Sequence, residues 1–191
     1  MGRRARERRR AQRRQQQRQT WLWIGGGAVI VLAVVGWLIF QGASTTAGLQ
    51  AQRVPLQAAQ HVQPGEPPPH EWNSDPPTSG WHDPVPARAA VYLEPVPDPN
   101  LVHSLEHGYV IISYNCGDLP QEDCDDLVSK LEDLFARLGG FKLIVVPRPT
   151  LESRIALTAW GWIDKFDEYD EERIVAFINA RRDKGPEDTP E

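Results

Sequence analysis

The chain carries five histidines, at positions 61, 70, 82, 103 and 107. Three of them fall in two dense segments, Pro76–His82 (PPTSGWH) and Leu101–Ile111 (LVHSLEHGYVI). The second segment brings His103, Glu106 and His107 within five residues of one another. Imidazole and carboxylate at such spacing are the groups from which metal sites and acid–base sites are built. On a helical turn His103 and His107, four apart, share a face. Together with His82 they supply three nitrogens for a divalent ion, with Glu106 as a ligand or as the hydrogen-bonding partner of one. That donor set suits zinc or copper(II). Copper(I) held by thioethers is disfavoured, because the single methionine is Met1. His61 and His70 stand in reserve.

Other uses of the same residues compete with this one. His-Ser-Leu-Glu-His fits the inverted zincin pattern His-x-x-Glu-His, in which the histidines bind zinc and the glutamate, here Glu106, activates water. That chemistry belongs on a long helix in a large protease fold. Gly108 and the apolar run from Tyr109 leave room for only about one turn. Alternatively the histidines hydrogen-bond one part of the chain to another and bind nothing. Metal binding and this structural role stand level on the sequence, and a metal-dependent hydrolase comes third. In Pro76–Gly80, Thr78 and Ser79 read as turn-capping hydroxyls and Gly80 as a positive-φ position. Ser79 as a nucleophile lacks a Gly-x-Ser-x-Gly elbow.

The elements that must position these groups follow from periodicity. Tyr109–Tyr114 (YVIISY) is short, apolar and β-branched, which predicts a buried strand. Gln121–Leu138 places Leu127, Leu131, Leu134, Phe135 and Leu138 on one helical stripe, with Pro120 at its start and Gly139-Gly140 at its stop. Phe141–Val146 and Arg154–Trp162 read as further strands, and Asp170–Arg182 as a second helix. Twelve of the seventeen prolines lie between Pro55 and Pro99. Proline opposes helix and central strand alike, yet Trp72, Trp81 and Tyr92 lie there too, so the region reads as an ordered, irregular lobe. The fold class expected is α/β, with α+β as its variant. A small mixed sheet in β-α-β-β-α order would carry the proline-rich lobe, an order that overlaps a truncated thioredoxin-like topology. The first crossover predicts two parallel strands, and the third strand is expected antiparallel, by a hairpin.

Charge divides the chain. Residues 1–20 hold nine arginines and one acid, a net of +8, whereas residues 41–191 sum to −13. Between them Trp21–Phe40 is uncharged for twenty residues. At 1.5 Å per residue it spans about 30 Å, the thickness of a bilayer's hydrocarbon core. A cleaved signal peptide needs an apolar core of only about 7–15 residues, so an uncleaved transmembrane helix is the better reading. The arginines on one side place the N-terminus in the cytoplasm and the rest outside. Expected boundaries are therefore a basic tail over 1–20, a span over 21–40, a linker over 41–60, an extracytoplasmic domain over 61–182 and a disordered tail over 183–191. The arginines set topology at an anionic leaflet, and no nucleic-acid partner is expected. In that oxidising setting Cys116 and Cys124 predict a structural disulfide, their spacing being unlike Cys-x-x-Cys.

Trp72-Asn-Ser-Asp-Pro-Pro-Thr-Ser-Gly-Trp-His82, paired with Val102-His-Ser-Leu-Glu-His-Gly-Tyr-Val110, resembles a bacterial family catalogued as domain of unknown function 3105. The resemblance covers about residues 60–180. Members carry a Pro-Pro-Thr-Ser-Gly-Pro-His block and a Val-His-Asn-Leu-Glu-His-Gly block, and are typically single-pass membrane or exported proteins. Here Trp81 stands for the usual proline, Trp72 for a tyrosine and Ser104 for an asparagine. None of these changes touches His82, His103, Glu106 or His107. The resemblance implies no activity. The function expected is thus divalent metal binding by a membrane-anchored bacterial domain, leaning away from an enzyme but with a metal-dependent hydrolase as one alternative. The alternative from another class is an envelope interaction module that meets a protein partner and whose histidines are structural.

Overall fold

The computed structural model describes residues 50–190. The basic tail, the apolar stretch Trp21–Phe40 and the first part of the expected linker lie outside the described residues. Among the described residues no helix is long and apolar enough to cross a membrane.

Six strands form one mixed sheet in the order β1-β6-β5-β3-β4-β2. They are β1 (Gln52–Arg53), β2 (Ala90–Val91), β3 (Val110–Tyr114), β4 (Leu143–Pro147), β5 (Ile155–Ala159) and β6 (Trp162–Phe166). Among the described residues three helices accompany them: α1 (Asp98–Glu106), α2 (Gln121–Arg137) and α3 (Glu171–Arg181). The fold class is α/β, and the parallel pairing expected across the first crossover is present between β3 and β4.

The third strand differs from expectation in its neighbour. β5 is antiparallel as predicted, but it pairs with β3 rather than forming a hairpin with β4. The free edge of β4 is taken by β2, delivered from the proline-rich lobe with Ala90 opposite Ile144. The single strand expected over Arg154–Trp162 is two. Gly161, at φ +70°, turns the chain so that Ala159 faces Trp162 and β6 runs back along β5. The segment read as linker also enters the sheet. Gln52 and Arg53 pair with β6, and Val54 is buried, its N–H bonded to the Gly161 carbonyl at 3.0 Å.

Alternation along the central strands sorts side chains onto two faces. Val110, Ile112, Tyr114, Leu143 and Val145 meet Leu127, Leu131 and Leu134 of α2 and Ile174, Phe177 and Ile178 of α3. Ile111, Ile144 and Val146 pack on the other face against Leu101 and Leu105 of α1. Each fully buried aliphatic side chain contributes about 1.5–3 kcal/mol relative to exposure. Cys116 and Cys124 are joined, with 5.4 Å between their Cα atoms, which ties the start of α2 to the end of β3.

The largest departure from the sequence reading is α1. One turn was expected around His103–His107, and the helix has nine residues. The prolines at 95, 97 and 99 read as breakers, but proline suits the first turn, where its missing N–H would have no intrahelical partner. The far end is set by Gly108. Its φ of +83° and the bonds Gly108 N–H to Leu105 O and Tyr109 N–H to Ser104 O form a Schellman stop that turns the chain into β3.

Candidate metal centre

α1 is buried from Leu101 to Glu106, and its polar residues face the proline-rich lobe. Arg148, at the end of β4, ties the two together: Nη1 lies 2.5 Å from Asp98 Oδ1 of α1, and Nη2 pairs with Asp75 of the lobe. The Pro76–Gly80 segment has the positive φ expected at Gly80, but its hydroxyls do not cap a local turn: Thr78 Oγ1 makes no hydrogen bond among the described residues, and Ser79 Oγ reaches a distant backbone N–H. Ser79 Oγ accepts from the Gln57 N–H at 3.0 Å, the Thr78 carbonyl accepts from the Gly161 N–H, and Gly80 adopts φ +122°. This turn delivers His82, which is 1 % exposed. A bridge holds it beside His61: Val62 N–H donates to His82 O at 2.8 Å and His82 N–H to Gln60 O at 3.0 Å.

Asp83 organises the next step. Its carboxylate accepts from the N–H of Gly65 at 3.0 Å and of Val85 at 2.8 Å. The Gly65 bond, with that from Val85, holds its pKa below the usual 3.8 against the opposing effect of desolvation. Its carbonyl accepts from Nδ1 of His103 at 2.7 Å. Nδ1 of His82 donates likewise to the Gly80 carbonyl at 2.7 Å. Since a carbonyl only accepts, each Nδ1 carries the proton, and the Nε2 lone pair of each ring is left to face inward.

What those lone pairs meet decides the chemistry. Nε2 of His82 is 2.9 Å from Oε2 of Glu106, and the pair is almost completely buried. An imidazole lone pair directed at a carboxylate needs a cation between them, either a proton or a metal ion. The contact lies outside hydrogen-bond alignment, and among the described residues Nε2 of His82 has no hydrogen-bond partner. A bridging proton is therefore poorly served, whereas a metal ion sits off the line joining its ligands.

The other histidines converge on the same place. The ring centres of His61, His82 and His103 lie 4.8, 5.0 and 4.9 Å apart pairwise. Imidazoles bound tetrahedrally at 2.0–2.1 Å put their ring centres about 5 Å apart. His61, His82, His103 and Glu106 each offer a ligand atom, and all four atoms lie within 4.8 Å of one another. His107 stands to one side. Its Nε2 is 3.0 Å from Nε2 of His103 and 3.3 Å from Oε2 of Glu187. His103, His107 and Glu187 thus make a second group that could hold an ion. Burial, aided by the neighbouring imidazoles, lowers the pKa of His103 from 6.5 and favours the neutral, ligating form.

The structure accordingly brings together His82, His103 and Glu106 as the sequence indicated. It moves His61 from reserve into the cluster and places His107 in an adjoining group with Glu187. His70 is exposed and borders a different depression, with Trp72, Asp75 and Arg148. Glu187 had no local signal, because it lies in the acidic tail expected to be disordered.

The model of the family described as protein of unknown function (DUF3105) matches residues 61–191. The chain belongs to this family. No curated protein matches it. No solved structure matches it either. The matched residues include every member of both groups that could hold an ion, whereas the apolar stretch Trp21–Phe40 precedes them.

Proposed function

We propose that this protein binds one divalent metal ion, zinc or copper(II), through His82, His103, Glu106 and His61. The observation that carries the reading is the buried approach of His82 Nε2 to Glu106 Oε2 with each Nδ1 proton committed elsewhere. Three imidazoles and one carboxylate match the four-coordinate preference of zinc and are equally acceptable to copper(II). Four protein ligands leave no fixed open position for substrate, which favours metal binding over hydrolysis. Glu106 faces His82 rather than an open coordination position, so it is badly placed to activate water. The domain would stand outside the cell membrane, anchored by Trp21–Phe40, where the acidic surface faces the envelope.

The test uses the full chain purified in detergent, with metal content and melting temperature measured before and after chelation. One equivalent of zinc or copper, and a melting temperature that falls on chelation, is the expected result, since an ion bound only by the folded state stabilises it. Absence of metal, with no shift when zinc or copper is supplied, would overturn the proposal and leave the histidines structural. The second reading, capture of an envelope protein, would then take its place.

A further inference from the structure

The C-terminal segment does not leave the domain after α3. Asp183 N–H donates to Gly108 O at 2.8 Å and Glu187 N–H to Glu106 O at 3.1 Å. The ammonium of buried Lys142 holds Asp183 Oδ1 at 2.5 Å. Gly185 passes so close that a Cβ there would lie 2.1 Å from Glu106 O and 2.3 Å from Gly108 N. Only glycine permits this approach, and the outcome is a strap that sets Glu187 beside His107.

We propose that His107 and Glu187, together with His103, form an outer cation position through which the ion enters and leaves the inner site. The inference rests on the metal-binding reading above. Because His103 Nδ1 is held by Asp83 O, Nε2 is its only ligand atom, and it belongs to both groups. One lone pair serves one ion at a time, so the two positions alternate. Tetrahedral ligands 2.0–2.1 Å from an ion stand about 3.3 Å apart. The 3.0 and 3.3 Å separations across His103, His107 and Glu187 fit that spacing. The Glu187 side chain is 54 % exposed and that of His107 11 % exposed; of the inner ligands His82, His103 and Glu106 are buried, and His61 alone is exposed. The outer position therefore meets solvent with three protein ligands and open coordination, which allows rapid exchange. The inner one offers four ligands and holds the ion. His103 passes it from one to the other.

The test is stopped-flow binding of cobalt(II), followed by its visible absorption, to the full chain in detergent. Glu187→Gln is expected to slow association and chelator-driven release alike by at least about tenfold, leaving the dissociation constant within about threefold. Asp188→Asn removes the same charge from an adjacent exposed residue and is expected to change neither rate. Unchanged rates in Glu187→Gln would overturn the port. So would equal slowing in Asp188→Asn, which would reduce the effect to general attraction of cations. A loss of affinity in Glu187→Gln with association unaltered would make Glu187 an ordinary ligand and also overturn it. Failure of the unaltered chain to bind cobalt or zinc at all would instead sink the metal reading itself.

Discussion

The two faces of the sheet are covered by different kinds of chain. One carries α2 and α3, regular helices whose inward residues are almost entirely hydrocarbon. The other carries α1 and the proline-rich lobe, and it holds Thr78, Ser79, His82, Asp83, His103, Ser104, Glu106 and His107, eight of the twelve buried polar or charged residues described. Buried polar groups cost free energy unless each is paired. A lobe of turns can place carbonyls such as Gly80 O and Asp83 O where a helix would have spent them on itself. The helical face thus supplies stability, and the irregular face spends part of it on holding imidazoles in fixed tautomers.

That division can be broken from either side. Leu131→Ala removes a fully buried side chain of α2. It is expected to cost about 2–5 kcal/mol in urea unfolding while leaving the metal stoichiometry of the folded protein unchanged. Loss of stoichiometry in a variant that is still folded would show that the two faces are coupled. His103→Ala is the mirror experiment. It should weaken zinc binding, measured by chelator competition, by at least about 100-fold, with His61→Ala costing less because that ring is exposed. Opening the Cys116–Cys124 bridge by a double serine substitution should cost about 2–3 kcal/mol of stability and nothing in zinc affinity, since Cys116 packs on the helical face.

The smallest effect is one of pH. Burial depresses the pKa of His103 below 6.5, so the unfolded chain takes up this proton first as the medium acidifies. Stability from this source is complete above about pH 6.5 and is lost as pH falls from there towards the depressed folded value. Melting temperatures of metal-free protein between pH 8 and 5 should decline accordingly, and less steeply in His103→Gln. An identical decline in that variant would place the proton uptake elsewhere.

Much of the helical face was legible because its signal is local. The stripe of Leu127, Leu131 and Leu134 predicts both a helix and its buried side, and Pro120 and Gly139 mark its ends. Ile155–Phe166 was read only as far as Trp162, since the alternation does not reveal that Gly161 reverses the chain. For α1 the sequence marks only the end, at Gly108 before the apolar run from Tyr109; its start lies among prolines, which fit a first turn as well as a loop. The pairing of β4 with β2 has no signal in the sequence. It depends on which distant segment reaches a free sheet edge, and two-residue strands leave no pattern of their own.

By itself the sequence determined the donor types and their density: His82, His103 and Glu106, the disulfide pair, the α/β class and the family. These follow from residue identity and short-range spacing, which are written along the chain. Tertiary structure alone decided that His61 joins the cluster, that His107 turns towards Glu187, and that both Nδ1 protons are committed to backbone carbonyls. Apart from the local bond of His82 Nδ1 to Gly80 O, these depend on distant segments meeting at one point, as when Asp83 O reaches His103 or Glu187 reaches His107. Periodicity reports which side of an element is buried, but only the packed lobe and strap fix what that side faces.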